Sequence, residues 1–301
     1  MIDKMRGVIY KGIGSFYTVH GDDGGEYVCK ACGRFRKEHI IPLVGDRVEF
    51  LVKDTGHSFI TDICERKNVL VRPAVANLDK LIIVMSATVP KADFYLTDKL
   101  LTACEQYKIT PVIVINKCDA DEGGIAEITS EYEKTGYSIL RTSAQSGEGT
   151  EQLRAEMSGC VSCFAGQSAV GKTSLLNRLM PGLSMQTGDL SRKTERGKHT
   201  TRHVQLWETS DGGAVLDTPG FSLLEIQEQN PEKLSELYPE MKGKGKDCRF
   251  SGCVHINEPD CAVKAAVALG EIPNGRYARY VSMYNELAEE YKHRYDKTKL
   301  H

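Results

Sequence analysis

The 301-residue chain has no run of about eighteen consecutive apolar residues, so nothing in it reads as a membrane span. It also lacks an apolar leader behind a basic N-terminus, and the expectation is a cytoplasmic protein with no membrane partner. A surplus of either charge is missing as well. Lys plus Arg number 39 against 41 Asp plus Glu, a net −2, which excludes a polycationic nucleic-acid binder while leaving room for local basic patches. Cysteine, by contrast, is not scarce. Ten thiols without an export signal point to a reducing compartment, where they are buried, reactive or metal-bound rather than paired. The length is enough for two or three domains, each with its own core.

Residues 1–70 read as β-structure. Strand-like runs at 8–10, 16–19, 27–29, 47–52 and 59–63 are separated by Gly, Asp and Pro. In the fourth, Val48, Phe50 and Val52 alternate with Arg47, Glu49 and Lys53, the period of a half-buried strand. Five such strands in about seventy residues fit a small closed barrel of the OB type. Lys30, Arg34, Arg36 and Lys37 surround Phe35, which reads equally as a surface for RNA backbone and base stacking or as a solvated loop. Cys29 and Cys32 form a lone C-x-x-C with no second pair nearby, and are read as structural or incidental.

From residue 71 the pattern becomes α/β. The runs 80–86 (KLIIVMS) and 111–116 (PVIVIN) are continuous and apolar, as in strands buried within a parallel sheet, and a helical stretch at 96–107 lies between them. A further strand, 138–141, leads into Thr142, Ser143 and Ala144. Then comes 161–174, VSCFAGQSAVGKTS, the G-x-x-x-x-G-K-[ST] pattern between an apolar run and an amphipathic helix. Here Gly166, Gln167, Ser168, Ala169, Val170 and Gly171 form a loop whose backbone N–H groups converge on one centre. The helix opened by Lys172, Thr173 and Ser174 adds partial positive charge, and Lys172 a full one. Phosphate belongs at that centre.

The run at 111–116 ends in Asn116-Lys117-Cys118-Asp119, a guanine-reading pattern. A carboxylate at Asp119 accepts from both the ring N1–H and the exocyclic amine of guanine. Adenine offers neither, leaving a charged hydrogen bond unmade at about 1.5–3 kcal/mol each, or ~10²-fold in favour of GTP over ATP. Asn116 braces the neighbouring loop, Lys117 lies along the base, and the Ala144 N–H reaches the guanine oxygen. Downstream, the polar segment 191–202 (SRKTERGKHTTR) reads as a mobile loop in which Thr201, or else Thr200, offers a hydroxyl to magnesium. Two strands at 204–207 and 214–216 deliver Asp217-Thr218-Pro219-Gly220. Asp217 is expected to hold the magnesium through water, beside Thr173, and the Gly220 N–H to sense the terminal phosphate. His199, next to the threonines and suited to proton work at neutral pH, is the candidate for positioning the attacking water.

Cys248, Cys253, His255 and Cys261 lie within fourteen residues of a Gly- and Pro-bearing loop. Three thiolates and an imidazole make a closed tetrahedral set for one structural zinc. Around them Asn230-Pro231 reads as a helix start, 262–269 as a helix, and 276–295 as a third. The stripe of Tyr277, Tyr280, Tyr284, Leu287, Tyr291 and Tyr295 in the last reads as a packing face. Cys160 and Cys163 are read as core residues of the strand before the phosphate loop.

The guanine motifs (NKCD, then SA) precede the phosphate loop (GQSAVGKT), the HTT loop and DTPG. In that order, with a barrel before and a Cys/His cluster after, the chain resembles the ribosome small-subunit-dependent GTPases, a circularly permuted family. The resemblance implies a multidomain α/β protein. Its parts would be an OB-type barrel (1–70), a permuted P-loop GTPase domain with a mostly parallel sheet and helices on both faces (71–226), and a helical zinc-binding domain (227–301). It implies GTP and GDP as ligands and the small ribosomal subunit with its rRNA as partner and activator; a monomer is the default. Two departures stand out. Ala169 occupies a phosphate-loop position where the family carries glycine, which costs of order 1 kcal/mol if φ is positive there. Phe221 follows Gly220 where conventional switch GTPases place a water-orienting glutamine, so unassisted hydrolysis is expected to be slow.

Overall fold

The computed structural model of the chain describes residues 3–53, 57–182, 204–217 and 230–298. The first strands are β1 (Asp3–Ile13), β2 (Phe16–Gly21), β3 (Glu26–Ala31), β4 (Arg47–Val52) and β5 (Ser58–Ile63). Antiparallel ladders join β1 to β2, β2 to β3, β5 to β4, and β4 back to β1, and one parallel ladder joins β3 to β5. That circuit closes a five-stranded barrel. Its interior is filled by the inward residues of each strand, Ile9, Val19, Cys29, Val48, Phe50 and Ile60, all fully buried. Each large side chain so buried contributes roughly 1.5–3 kcal/mol.

Helix α1 (Gly33–Lys37) occupies the cationic segment, and here the structure corrects one expectation. Phe35 is buried in the core, so it offers no ring for base stacking; Arg34, Arg36 and Lys37 remain exposed around it. An apolar side chain on a one-turn helix packed against the barrel core is drawn inward regardless of its charged neighbours. Cys29 is a barrel-core residue, in keeping with its structural reading.

A two-stranded ribbon, β6 (Val69–Leu70) with β7 (Val75–Ala76), leads to the second sheet. Its strands are β8 (Lys80–Ser86), β9 (Thr110–Asn116), β10 (Ser138–Arg141), β11 (Val161–Ala165), β12 (Gln205–Glu208) and β13 (Ala214–Asp217), in spatial order β10-β9-β8-β11-β13-β12. All neighbours run parallel except β12 with β13. The chain reaches the central strand β11 only after building β8 to β10 on one side, and then fills the other side with β13 and β12. That order is the permutation read from the motifs.

Helices cover both faces. Alternate residues of the sheet, Leu81, Ile83, Ile113 and Ile115, share a core with α2 (Phe94–Tyr107), α3 (Glu122–Tyr132) and the barrel interior. The intervening ones, Ile82, Val84, Val112, Val114 and Phe164, pack with α4 (Thr150–Met157) and α5 (Lys172–Leu179). Strand β1 also meets β12 at Lys11 and Gln205, so barrel and sheet share a ladder contact.

The C-terminal elements are a 3₁₀ turn (Pro231–Leu237), α6 (Pro239–Gly245), α7 (Ala262–Ala268) and the long α8 (Asn274–Thr298). Asn230 caps the 3₁₀ turn, its side-chain oxygen accepting from the Glu232 N–H at 3.1 Å. Tyr277, Tyr280, Tyr284 and Leu287 of α8 pack in one cluster with Tyr238 and Met241, so their stripe is a packing face. Helix α8 begins at Asn274, two residues earlier than the pattern predicts, and those two residues are Asn-Gly, whose low helix propensity hid the start. Among the described residues no helix is long and apolar enough to cross a membrane.

Candidate nucleotide and metal sites

Strand β11 is buried from Ser162 to Ala165, with Cys163 in the core as expected; Cys160, expected there too, lies one residue before the strand and is only half-buried. The loop that follows is shaped by two glycines. Gly166 has φ +124°, and a Cβ there would stand 2.2 Å from the Val84 carbonyl oxygen. Gly171 has φ +100°, and a Cβ would stand 2.2 Å from Asn116 Nδ2. Helix α5 starts at Lys172 without a side-chain cap, so its first-turn N–H groups open toward the loop centre, where an anion would meet them. The Lys172 ammonium donates to the carbonyls of Gly166, at 2.7 Å, and of Gln167, which holds it across the loop. Burial lowers its pKa to about 8. Thr173 is half-buried in the first turn, Ser168, Ala169 and Ser174 are exposed, and Val170 is buried. Ala169 has φ +65°, the left-handed conformation in which alanine is strained relative to glycine.

Asn116, at the end of β9, ties three segments together. Its Nδ2 donates to the Val170 carbonyl at 2.8 Å; its Oδ1 accepts from the Ala144 N–H at 3.2 Å and from the Thr142 hydroxyl at 3.4 Å. Lys117, itself at φ +62°, donates from Nζ to the Ala169 carbonyl at 3.0 Å and to the Val89 carbonyl. Cys118 is buried and its N–H donates to the Thr142 carbonyl at 3.1 Å; burial raises its thiol pKa. Asp119 is exposed beside it, and Ser143 is buried with its hydroxyl accepting from the Ser146 N–H at 3.1 Å. Residues 116–119, 143–144 and 166–174 therefore meet at one edge, at the C-terminal ends of parallel strands, where α/β sheets take their ligands.

Strand β13 runs parallel beside β11 and ends at Asp217, so that backbone reaches the same edge of the sheet. The Asp217 side chain, together with His199, Thr200, Thr201, Gly220 and Phe221, lies outside the described residues.

Two supports of this edge escaped the motif reading. Arg178, in the last turn of α5, donates to the carbonyls of Gln145 at 3.3 Å and Ser146 at 3.1 Å, cradling the loop after Ala144. The Asp93 N–H donates to Gln167 Oε1 at 3.1 Å, while Asp93 Oδ1 caps α2 through the Leu96 N–H at 2.9 Å. The Asp93 cap was visible as an Asp before an amphipathic run; its bond to Gln167, 74 positions away, had no local signal.

The second site is local. The ligand-type atoms of Cys248, Cys253, His255 and Cys261 all lie within 4.8 Å of one another. Cys248 Sγ is 3.8 Å from Cys261 Sγ, and His255 Nδ1 is 3.5 Å from the former and 3.3 Å from the latter. A tetrahedral centre with metal–sulfur bonds of ~2.3 Å spaces its sulfurs ~3.8 Å apart, so the donor set fits such an ion in both chemistry and spacing. His255 and Asp260 take left-handed backbone, φ +62° and +52°, which turns the loop back on itself. From α8, the Tyr277 hydroxyl donates to the His255 carbonyl and the Tyr280 hydroxyl to the Val254 carbonyl, each at 2.7 Å. Burial raises the Cys253 thiol pKa to about 12 and lowers that of His255. Desolvation thus favours neutral forms, and a cation is what would stabilise thiolates here. These four residues can hold a metal ion.

A family model described as RsgA GTPase matches residues 63–227, and one described as RsgA N-terminal domain matches residues 6–60. The chain is 45% identical over 288 residues to the small ribosomal subunit biogenesis GTPase RsgA of Geobacillus kaustophilus (strain HTA426), covering 94% of this chain and 98% of that one. It is 43% identical over 295 residues to the protein of that name from Caldanaerobacter subterraneus subsp. tengcongensis, covering 98% and 99%. Among solved structures, YjeQ from Thermotoga maritima superposes with a TM-score of 0.84 at 38% identity, over 95% of this chain and 99% of that one. YloQ, described as a circularly permuted GTPase, superposes with a TM-score of 0.81 at 33% identity, over 96% of each.

Proposed function

The chain belongs to the RsgA GTPase family, and from that premise we propose that it hydrolyses GTP to GDP and phosphate in the biogenesis of the small ribosomal subunit, with the subunit as activator. One observation carries the nucleotide reading: the Asn116 side chain joins the guanine-type segment, the Ala144 loop and the phosphate loop at one point. On this reading the base lies between Lys117 and the Ala144 N–H and is selected by Asp119. Its phosphates lie over 166–171, against the N–H groups of Lys172, Thr173 and Ser174, with Lys172 exchanging its carbonyl partners for phosphate oxygens.

In hydrolysis a water oxygen bonds to the terminal phosphorus as the bond to the bridging oxygen breaks, and charge spreads over the leaving diphosphate. Lys172 and the loop N–H groups stabilise that charge; His199 orients the water and Thr201 supports the terminal phosphate. Magnesium held by Thr173, Thr201 and Asp217 would supply charge neutralisation between the terminal phosphates. Thr173 in the first turn of α5 and the delivery of Asp217 beside β11 are compatible with such a set. Gly220 would register the terminal phosphate. Zinc is the ion we assign to Cys248, Cys253, His255 and Cys261, in a structural role because no open coordination position is left.

We further read residues 1–70, 71–226 and 227–301 as the barrel, nucleotide and zinc domains of a cytoplasmic monomer that grips rRNA with its outer two. The deciding experiment measures GTP hydrolysis with and without purified small subunits. Stimulation well above a basal rate of ~10⁻³–10⁻⁴ s⁻¹ supports the proposal. GTP-dependent subunit binding without stimulation would instead make the protein a GTP-gated RNA-binding module or translation regulator with negligible turnover of its own. A His199→Ala protein that is stimulated normally would remove His199 from the mechanism.

A further inference from the structure

Helix α2 is held at two places that belong to different parts of the chain. At its first turn the Asp93 backbone N–H donates to the phosphate-loop side chain of Gln167 at 3.1 Å. One residue on, the Arg279 guanidinium of α8 lies 5.2 Å from the Phe94 ring centroid. Arg279 Nε donates to Asp98 Oδ2 at 2.6 Å, and its Nη2 to Glu131 Oε2 at 2.8 Å. Arg276 donates from Nη1 to Asp98 Oδ1 at 2.6 Å and from Nε to Glu240 Oε1 at 2.7 Å. The Tyr132 hydroxyl adds a third bond to the Asp98 carboxylate at 2.9 Å. Asp98 and Arg276 are fully buried.

Such a network is a poor way to gain stability. Removing two opposite charges from water offsets most of their attraction, and apolar side chains of similar volume would hold the helices together as well. What fixed forks and carboxylates add is direction: they allow one arrangement of α2 against α8 and penalise others. Asp98 sits about one and a half turns, roughly 7–8 Å along the axis, from the Asp93 cap that touches Gln167. The orientation set at Asp98 is therefore delivered to the phosphate loop within a single rigid helix segment.

We propose that Asp98, Arg276 and Arg279 are positioning residues for guanine-nucleotide binding, acting on the phosphate loop through α2 and the Gln167 side chain. The consequence is reciprocal: nucleotide in the loop tightens the docking of α8, and a correctly docked α8 raises nucleotide affinity. Every contact in this route lies in α2 and its Asp93 cap, α3, α6, α8 and the phosphate loop. It rests on the reading of 166–174 as the phosphate site.

The test is a double-substitution cycle read by titration with fluorescent GDP. Arg279→Met keeps an unbranched, helix-compatible stem but removes the fork from Asp98, Glu131 and Phe94; Gln167→Met removes the acceptor for Asp93. Each should weaken GDP about 5–10-fold, and the double variant should be little worse than either, since both cut one path. Unchanged affinity in a folded, metal-replete Arg279→Met protein, or effects that simply multiply, overturns the proposal. Should Arg279→Met fail to fold, hydrogen exchange decides. GDP should slow amide exchange over 274–286 in the native protein, and Gln167→Met with saturating GDP should lose that protection. Absence of the native protection, or its persistence in Gln167→Met, overturns the inference. A native protein that binds no guanine nucleotide would overturn the site reading instead, and the two failures are thereby told apart.

Discussion

The nucleotide edge and the Cys/His loop are built on opposite plans. At the former, the bonds that define the geometry join residues far apart in the chain: Asn116 to Val170, Lys117 to Ala169, Asp93 to Gln167. At the latter, all four donors fall between residues 248 and 261. A site made of distant pieces exists only while the whole sheet is folded, and its shape is then held by a large core. A site made of fourteen consecutive residues leans on the small core of the C-terminal helices, and the order of its loop depends on the ion that its donors enclose. The first is therefore expected to keep its shape when one ligand group is lost, whereas the second loses its order with its ion.

Metal removal should produce the largest effect and is the most direct way to break this contrast. Stripping the ion with a strong chelator, or Cys261→Ser, should cost the C-terminal unit on the order of 10 kcal/mol of folding free energy. Amide exchange over 248–268 would then rise to near-unfolded rates while GDP binding survives with, at most, a tenfold loss. If nucleotide binding disappears altogether, the two sites do not have separate supports. Next in size, Asp119→Asn should cut the preference for GTP over ATP by ~10²-fold, as read by competition against labelled GDP, with protein stability unchanged because the side chain is exposed.

The pH dependence sharpens the same contrast. Burial lowers the Lys172 pKa to about 8 in the free protein, and bound phosphate would raise it again. The charged form binds, so GDP affinity should be flat below pH 8 and fall as pH rises through it, by up to tenfold per unit. Calorimetry above pH 8 in buffers of differing ionisation enthalpy should show about one proton taken up per GDP bound. The smallest effect belongs to Ala169, at φ +65° in the phosphate loop. Ala169→Gly should relieve about 1 kcal/mol or less, visible as a Tm rise of roughly 2–4 °C.

Sequence patterning captured what is periodic or local. The barrel strands announced themselves by alternation and punctuation, and the buried parallel strands by unbroken apolar runs. The order NKCD, SA, GQSAVGKT was enough to foresee a permuted sheet, because each motif fixes a strand end. The Cys/His spacing was legible for the same reason: its geometry is nearly contained in its sequence. Phe35 was misjudged because its neighbours are cations, and whether a ring on a one-turn helix points inward depends on a barrel core that no local pattern encodes. Asp98 and Arg276 were invisible as partners, being 178 positions apart. The single clue was an aspartate on the apolar face of α2, between Leu96 and Leu100, which demands a buried cation from somewhere.

One apolar core passes without interruption from Ile9, Val48 and Phe50 of the barrel to Leu81, Ile83 and Ile113 of the sheet. Close-packed interiors of that kind do not shear, so these two portions travel as a block. Whatever surface the barrel's far wall comes to rest on therefore sets the bearing of the phosphate cradle too, since Gly166 lies hard against Val84 of the same strand layer. The molecule is built like a tripod head with one leg welded: planting that foot aims the instrument, and any adjustment afterwards must come from another joint.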